Sequence, residues 1–379
     1  GALNTGRGGA IYNAGGVTVI NNSIITNNTA ANGGGLNNAS TGAPAVPGDL
    51  TLNNCIVSNN TSPGSGGGMQ NFSTSTITIN NSTFMGNVSN GTTGGGGGQL
   101  NGGVRITNST FVNNSAPSGS GGGIQSNGTL GTILTNVTFS GNSSVNNGGG
   151  IHRGTTNVNF FIRNSIVAGN NGTASSLDIT NSTNGLDSEG NNIIGNVGTS
   201  TGWEASDLLN TDPMLLPLAD NGGFGMTFMP NTGSPAIEGG QNCVLDLTCA
   251  TNNPPAAVTT DQRGVSRPSG TNVDIGAVEV VAMPSLATVS GRVVTTNGNG
   301  LHNVPVVMNQ SMTVGGGFPR VAFTNQFGYF TFNDVLTGQT YSLDVSSKQF
   351  AFDPLQVQVN ADVTGIIITS TGANVRGGK

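Results

Sequence analysis

Apolar residues in the first half of the chain fall on alternate positions in short runs, as in Val17 and Val19 before Ile24, or Ile77 and Ile79 before Phe84. A two-residue period places such side chains on one face of an extended strand, whereas a helix would repeat them every three or four residues. The runs are separated by Gly and Asn, which favour turns, so strands are expected throughout.

The runs themselves recur. A glycine cluster followed by an apolar or amide residue stands at Gly8-Gly9-Ala10-Ile11 and Gly33-Gly34-Gly35-Leu36, and in the equivalents ending at Met69, Gln99, Ile124 and Ile151. From Ile11 to Ile151 is 140 residues in five steps, or 28 each. A second marker keeps phase with it: Asn22-Ser23-Ile24, Asn54-Cys55-Ile56, Asn81-Ser82-Thr83, Asn108-Ser109-Thr110, Asn136-Val137-Thr138 and Asn164-Ser165-Ile166. Each copy then closes on a further Asn, at Asn27, Asn59, Asn87, Asn113, Asn142 and Asn170. Two independent markers on one period identify an internal repeat. A unit of this size, with about three short strands, cannot bury its own apolar face, so the copies must stack. Stacking sets each strand parallel to its copy about 4.8 Å away and winds the chain into a parallel β-helix with an apolar interior. Equivalent Asn residues are expected to align as hydrogen-bonded ladders, with Gly at the corners that need positive φ.

The run from Gly8 to Asn13, followed by the run from Asn21 to Asn28, resembles the right-handed parallel β-helix repeats of bacterial surface and secreted proteins, such as the autotransporter-type and polymorphic outer-membrane proteins. Pectate lyases share that fold class. A degenerate copy spans Glu189 to Asn196, and Trp203 to Pro217 breaks the pattern. After it come Asp212-Pro213-Met214-Leu215, Leu218-Ala219-Asp220-Asn221-Gly222-Gly223, Gly233-Ser234-Pro235-Ala236-Ile237, Asp261-Gln262-Arg263-Gly264, Arg267-Pro268 and Asp274-Ile275-Gly276-Ala277-Val278-Glu279. This ordered set resembles the closing segment of the choice-of-anchor Q family of bacterial β-helix proteins. The resemblance implies a surface-displayed or secreted protein and no enzymatic activity. Residues 285–371 change character, with aromatic residues and clean alternation in Tyr329-Phe330-Thr331-Phe332 and Tyr341-Ser342-Leu343-Asp344-Val345. Together with Val289 to Val293 and Thr324 to Phe330 these runs resemble the carboxypeptidase regulatory-like, transthyretin-like β-sandwich. That resemblance implies a spacer or adhesion unit without catalysis. The expected architecture is all-β: parallel β-helix coils over 1–200, a closing segment over 201–284 and a small antiparallel β-sandwich over 285–379.

Composition narrows the function. Of 379 residues 63 are Gly, and only 7% are charged, with a formal net charge of -6. Lysine occurs only at Lys348 and Lys379, so the chain lacks the basic patch that nucleic acid or anionic lipid would need. Asparagine numbers 37 in residues 1–200 and 15 in residues 201–379, so amides replace charge in the repeats. No stretch approaches the roughly 20 apolar residues of a membrane-spanning helix, and the first residues lack the features of a signal peptide, so the chain is expected to be a processed one. Cys243 and Cys249, with five residues between them, are a candidate disulfide, which would imply an oxidising, extracellular or cell-surface location. Cys55 is expected to be a small buried residue. Asn-x-Ser/Thr sequons such as those at Asn27, Asn71 and Asn90 make glycan attachment a candidate modification.

Candidate chemistry is sparse. Glycoside hydrolysis needs two carboxylates about 5 to 9.5 Å apart, yet Asp49 is the one acidic residue in residues 1–177. Asp178, Asp187, Glu189, Asp207 and Asp212 lie near the last coils and are expected to cap or turn the chain. His152, Arg153 and Arg163 form a basic spot at an expected solvated corner, and His302 has no Cys or His partner for a metal. Asp261, Arg263, Arg267, Asp274 and Glu279 are expected to form ion pairs that lock the closing segment to the helix. No cofactor, metal or enzymatic activity is expected. Because the first coil begins at Gly8-Gly9-Ala10-Ile11, that rung is expected to be an open edge that pairs with another copy, head-to-tail, giving a filament or surface layer. Two readings stay open: a self-assembling extracellular structural rod, or a monomeric surface adhesin or carbohydrate-binding stalk whose partner is an extracellular polysaccharide. A polysaccharide-degrading enzyme is the third and weakest.

Overall fold

In the computed structural model the described residues are 6–281, except 73, 129, 155–158, 174–176 and 182–185, and 286–373, except 311–318. The chain divides into two compact units, Gly1–Val281 and Ala282–Lys379.

The first unit is a parallel β-solenoid. Its first sheet stacks seven strands, from Ile11–Ala14 and Leu36–Ala39 to Ile151–Arg153 and Ile179–Asn181. Its second runs from Gly16–Asn21 to Phe160–Arg163 and Asp187–Ser188, and its third from Ile24–Thr26 to Ile193–Ile194 and Leu208–Leu209. All rungs in these sheets pair in parallel. The central coils carry one strand more than the expected three. Thr61–Ser62, Val88–Ser89, Ser115–Ala116 and Ser143–Ser144 form a fourth sheet, whose two-residue strands are too short to show alternation in sequence.

Inside, like meets like. Leu52, Ile79, Ile106, Leu134 and Ile162 occupy one register position on successive rungs. Phe84, Phe111 and Phe139 stack with ring centroids 4.7 Å apart in each pair. All eight of these side chains are fully buried in one continuous core.

Asparagine also runs through the wall of the solenoid, in a register one residue away from the expected one in three copies. The ladder consists of Asn28, Asn60, Asn87, Asn114, Asn142 and Asn170. Each donates both its backbone N–H and its Nδ2 to the Oδ1 of the next, at 2.8–3.0 Å. From Asn60 onward each Nδ2 also donates to a carbonyl of the preceding coil, as Asn114 does to Phe84 O at 2.9 Å. Asn27, Asn59 and Asn113 stand one residue earlier with φ of 59°, 52° and 52°, and the other copies have Gly86, Gly141 and Gly169 there with φ of 64°, 71° and 72°. The Asn-Asn and Gly-Asn pairs therefore encode one instruction: a left-handed corner, which Asn tolerates better than most residues, followed by a ladder amide.

A second left-handed corner precedes the third sheet, and there Asn is used throughout: Asn22, Asn54, Asn81, Asn108, Asn136, Asn164 and Asn191 all have φ between 45° and 56°. The expectation of Gly at corners holds at the glycine clusters. Gly33 has φ 62°, whereas Gly34 is required for a different reason, because a Cβ there would lie 2.3 Å from Gly67 O of the next coil.

The second unit is built on two main sheets that share a core, with a short antiparallel pair, Phe350–Ala351 and Gly372–Ala373, beside them. Leu286–Val294 pairs antiparallel with Tyr329–Leu336 but parallel with Val363–Thr369, so this sheet is mixed where an antiparallel one was expected. The other sheet, Arg320–Phe323, Pro305–Gln310, Gln339–Val345 and Leu355–Val359, is wholly antiparallel. Val289, Phe330, Val306 and Leu343, two from each sheet, share one core.

If the ladder supports the fold as much as the apolar stack does, two variants should be comparably unstable. Phe111→Ala should cost about 3–5 kcal/mol in urea unfolding. Asn114→Ala deprives two donors of Asn87 of their acceptor and removes the amide bonds to Phe84 O and Asn142 Oδ1, and should cost about 3 kcal/mol or more. A loss under about 1 kcal/mol for Asn114→Ala would refute the ladder's role.

Candidate functional site: the closed end and strapped flank of the solenoid

The carboxylates near the last coils do not gather into a pair; the structure distributes them to separate tasks. The amide-to-amide bonds of the Asn ladder are directional, each residue passing its backbone N–H and one Nδ2 hydrogen to the next coil, so its last member needs an acceptor. Asp178 supplies it: Oδ1 accepts from Asn170 N at 2.8 Å and from Asn170 Nδ2 at 2.9 Å, while Oδ2 accepts from Asn196 N at 2.7 Å. A second ladder ends in the same way. Cys55 N donates to Ser82 Oγ, Ser82 N to Ser109 Oγ, Val137 N to Ser165 Oγ and Ser165 N to Asn192 Oδ1. Asn192 then donates from both N and Nδ2 to Asp207 Oδ1 at 3.0 and 2.9 Å. A carboxylate at the foot of a row of aligned donors receives charge-assisted bonds, stronger than those between amides. Burial nevertheless pushes the Asp178 carboxyl above the usual carboxylate range.

Glu189 is committed elsewhere. It forms an ion pair with Arg163, both side chains being nearly buried, and accepts from Asn252 Nδ2 at 2.7 Å. Arg163 also donates to Thr251 O at 2.7 Å and to Cys243 Sγ at 3.6 Å. Cys243 and Cys249 are disulfide-bonded in the structure, and their loop is held to the coil edge by hydrogen bonds to this buried ion pair. Asp187 accepts from Phe160 N, and Asp212 closes its own turn on Met214 N.

The expected solvated basic corner is a correction. His152, Arg153 and Arg163 are buried, at 8%, 1% and 2% exposure. His152 continues the row Asn37, Gln70, Gln99 and Gln125, and its Nδ1 lies 3.1 Å from Thr180 Oγ1. Burial holds its imidazole well below the usual range, at about 4.

Residues 203–281 do more than close the last coil. Trp203 and Val197 pack against the end of the core, after which the chain turns back along the outer face of the third sheet. Gln241 bonds Asn164 and Asn191. Further back, Asn136 Nδ2 donates to Asp274 O, Ala277 N to Thr138 Oγ1, and Asn108 Nδ2 to Thr260 O. Gln262 spans two rungs, donating to Thr83 Oγ1 at 2.8 Å and accepting from Thr110 Oγ1 at 2.6 Å. The corner asparagines thus have a second task, as a row of donors that docks a strap.

The five charged residues expected to lock this segment do come together, but they brace the strap internally. Arg267 is fully buried, donating to Glu279 Oε2 at 2.7 Å and to the carbonyls of Asp274 and Gly276 at 3.0 and 2.7 Å. Arg263 pairs with Asp261 at 2.7 Å and donates to Glu279 O. Asp274 accepts from Glu238 N and Val280 N, and its burial pushes the carboxyl up to about 6. Grip on the solenoid comes from neutral groups on the strap surface.

The rung expected to form the assembly edge is engaged on one side. Gly8, Gly9, Ala10 and Ile11 all donate their N–H groups to the second coil, at Asn32 O, Gly33 O, Gly34 O and Gly35 O. Cys55 is buried at 1% exposure. Of the sequons, Asn71 is buried, whereas Asn27 and Asn90 are exposed. Among the described residues no three His, Cys, Asp or Glu groups cluster as metal ligands, and no helix is long and apolar enough to cross a membrane.

Two outcomes are expected. Glu279→Gln leaves Arg267 buried without the carboxylate it is paired with, which should cost about 3–5 kcal/mol and open the strap to trypsin at Arg263, Arg267 being shielded by the proline that follows it, while the coils stay resistant. An unchanged digestion pattern would show that the pair is dispensable. His152 binds its proton less readily when folded, so the stability it contributes is complete above about pH 6.5 and is lost as pH falls toward 4. Asp274, raised, acts oppositely between about 4 and 6, so the comparison must be differential. His152→Gln should gain on the parent by up to about 3 kcal/mol on acidification from pH 7 to 4, read from urea midpoints.

No family model and no curated protein matches the chain.

Proposed function

We propose that this chain is an extracellular structural protein, a rigid solenoid rod that stacks head-to-tail into filaments or a surface layer and has no enzymatic activity. The observation that carries the reading is the unbroken amide ladder from Asn28 to Asp178. Each coil is joined to the next by the same pair of bonds to an amide or carboxylate oxygen in addition to the strand pairing, so bending anywhere must break them. The disulfide between Cys243 and Cys249 supports an oxidising compartment. The motif order over 185–281 supports a surface or secreted protein of the choice-of-anchor Q type, and the alternation over 285–371 a carboxypeptidase regulatory-like sandwich. The absence of catalysis is supported by the occupation of Asp178, Glu189 and Asp207 in ladder ends and an ion pair. Stacking is supported by the last rung, Leu208–Leu209, an edge strand whose side chains are 37% and 36% exposed.

Negative-stain electron microscopy of the full chain over a concentration series tests the assembly. Filaments or ordered layers, suppressed by Leu208→Asp/Leu209→Asp, are expected. Isolated rods of constant length at the highest concentration would overturn it in favour of a monomeric stalk.

A further inference from the structure

The outer face of the second sheet carries a groove of about 470 Å³, within the range of small-ligand sites. Its floor is a single row of side chains on consecutive rungs, Thr78, Arg105, Ile133 and Phe161. Leu130, 56% exposed, stands on one side, and Asn252 of the disulfide-bearing loop lines the groove as well. Arg105 is exposed, and among the described residues it is the one arginine with no hydrogen bond, ion pair or ring contact, although the chain is acidic overall. Every other described arginine is used for structure.

The geometry points to a binding site for a linear acidic polysaccharide, lying along the solenoid axis with one uronate carboxylate on Arg105. Rungs repeat about every 4.8 Å, close to the length of one sugar unit in an extended chain, so successive units meet successive floor residues. Phe161 and Ile133 offer apolar surface to sugar C–H faces, and Thr78 and Asn252 offer groups for hydroxyls. A guanidinium and a carboxylate can pair through two parallel hydrogen bonds. The row ends at Asp187, three rungs from Arg105, about 14 Å away and beyond the screening length in physiological salt. A peptide strand has no free edge to join here, because the central floor strands are paired on both sides. Nucleic acid would need several cations rather than one. This inference is independent of whether the rods assemble.

The test is affinity electrophoresis of the full chain in gels containing polygalacturonate, alginate or hyaluronan, with methyl-esterified polygalacturonate and poly-L-glutamate as controls. Retardation by at least one uronate polymer is expected, weakened about tenfold by esterification of the carboxylates or, for polygalacturonate, by Arg105→Gln. Phe161→Ala should weaken both the charged and the esterified forms. Arg105 is exposed, so the variant's thermal midpoint should match the parent. Failure of all three uronate polymers, equal retardation of Arg105→Gln and parent, or preference for poly-L-glutamate would each overturn the site.

Discussion

In a parallel solenoid every side chain must be compatible with its own copy about 4.8 Å along the axis. This constraint sorts residues by how they tolerate self-contact. Phenylalanines stack, aliphatic residues interdigitate, and an asparagine can donate to and accept from its copies at once. A carboxylate or ammonium beside its own copy would repel it. The near absence of acidic residues before Asp178 therefore follows from the stacking itself, and the amides are the polar groups that remain admissible in its wall.

A ladder built this way has a direction, and a direction implies an end. From Asn28 to Asn170 each residue passes its backbone N–H and one Nδ2 hydrogen to the next amide, so at the last coil a donor pair arrives with no further copy to receive it. Asp178 and Asp207 stand there, each accepting both donors of the last amide on one oxygen. Charge returns to the chain where repetition stops, because there a carboxylate no longer faces its own copy and its stronger bonds become useful. The same carboxylates that a search for catalysis would single out are consumed by termination of the fold.

The flank follows from the same geometry. The left-handed corner before the third sheet needs a residue that tolerates positive φ, and Asn supplies it with an outward amide to spare. Repeated coil after coil, those amides form a row of donors at regular spacing, to which the returning segment docks through its carbonyls, while Gln262 bonds the threonine hydroxyls beside them. Its charged residues are turned inward, where Arg267 and Glu279 hold the strap's own shape. Neutral contacts along a row, with ionic bracing behind them, join a non-repeating segment to a repeating one.

The repeat, its period, its strand character and the stacked solenoid were legible in the sequence, because each is a local preference written six times. Cys55 as a buried small residue was legible for the same reason. Three things were not. Asn27, Asn59 and Asn113 were indistinguishable by type from the ladder residues beside them, since backbone sign and side-chain reach are properties of the closed coil. His152 and Arg153 read as a solvated corner because sequence reports polarity, whereas burial there is set by the neighbouring turns. The groove around Arg105 needed residues about 28 apart to fall on one line, with Asn252, far along the chain, added from the returning segment. The sequence by itself determined what repeats; which of the exceptions to the repeat meet, and whether they end a ladder, brace a strap or floor a groove, was decided by tertiary structure, because non-repeating residues acquire neighbours only when the coils close and the chain folds back on them.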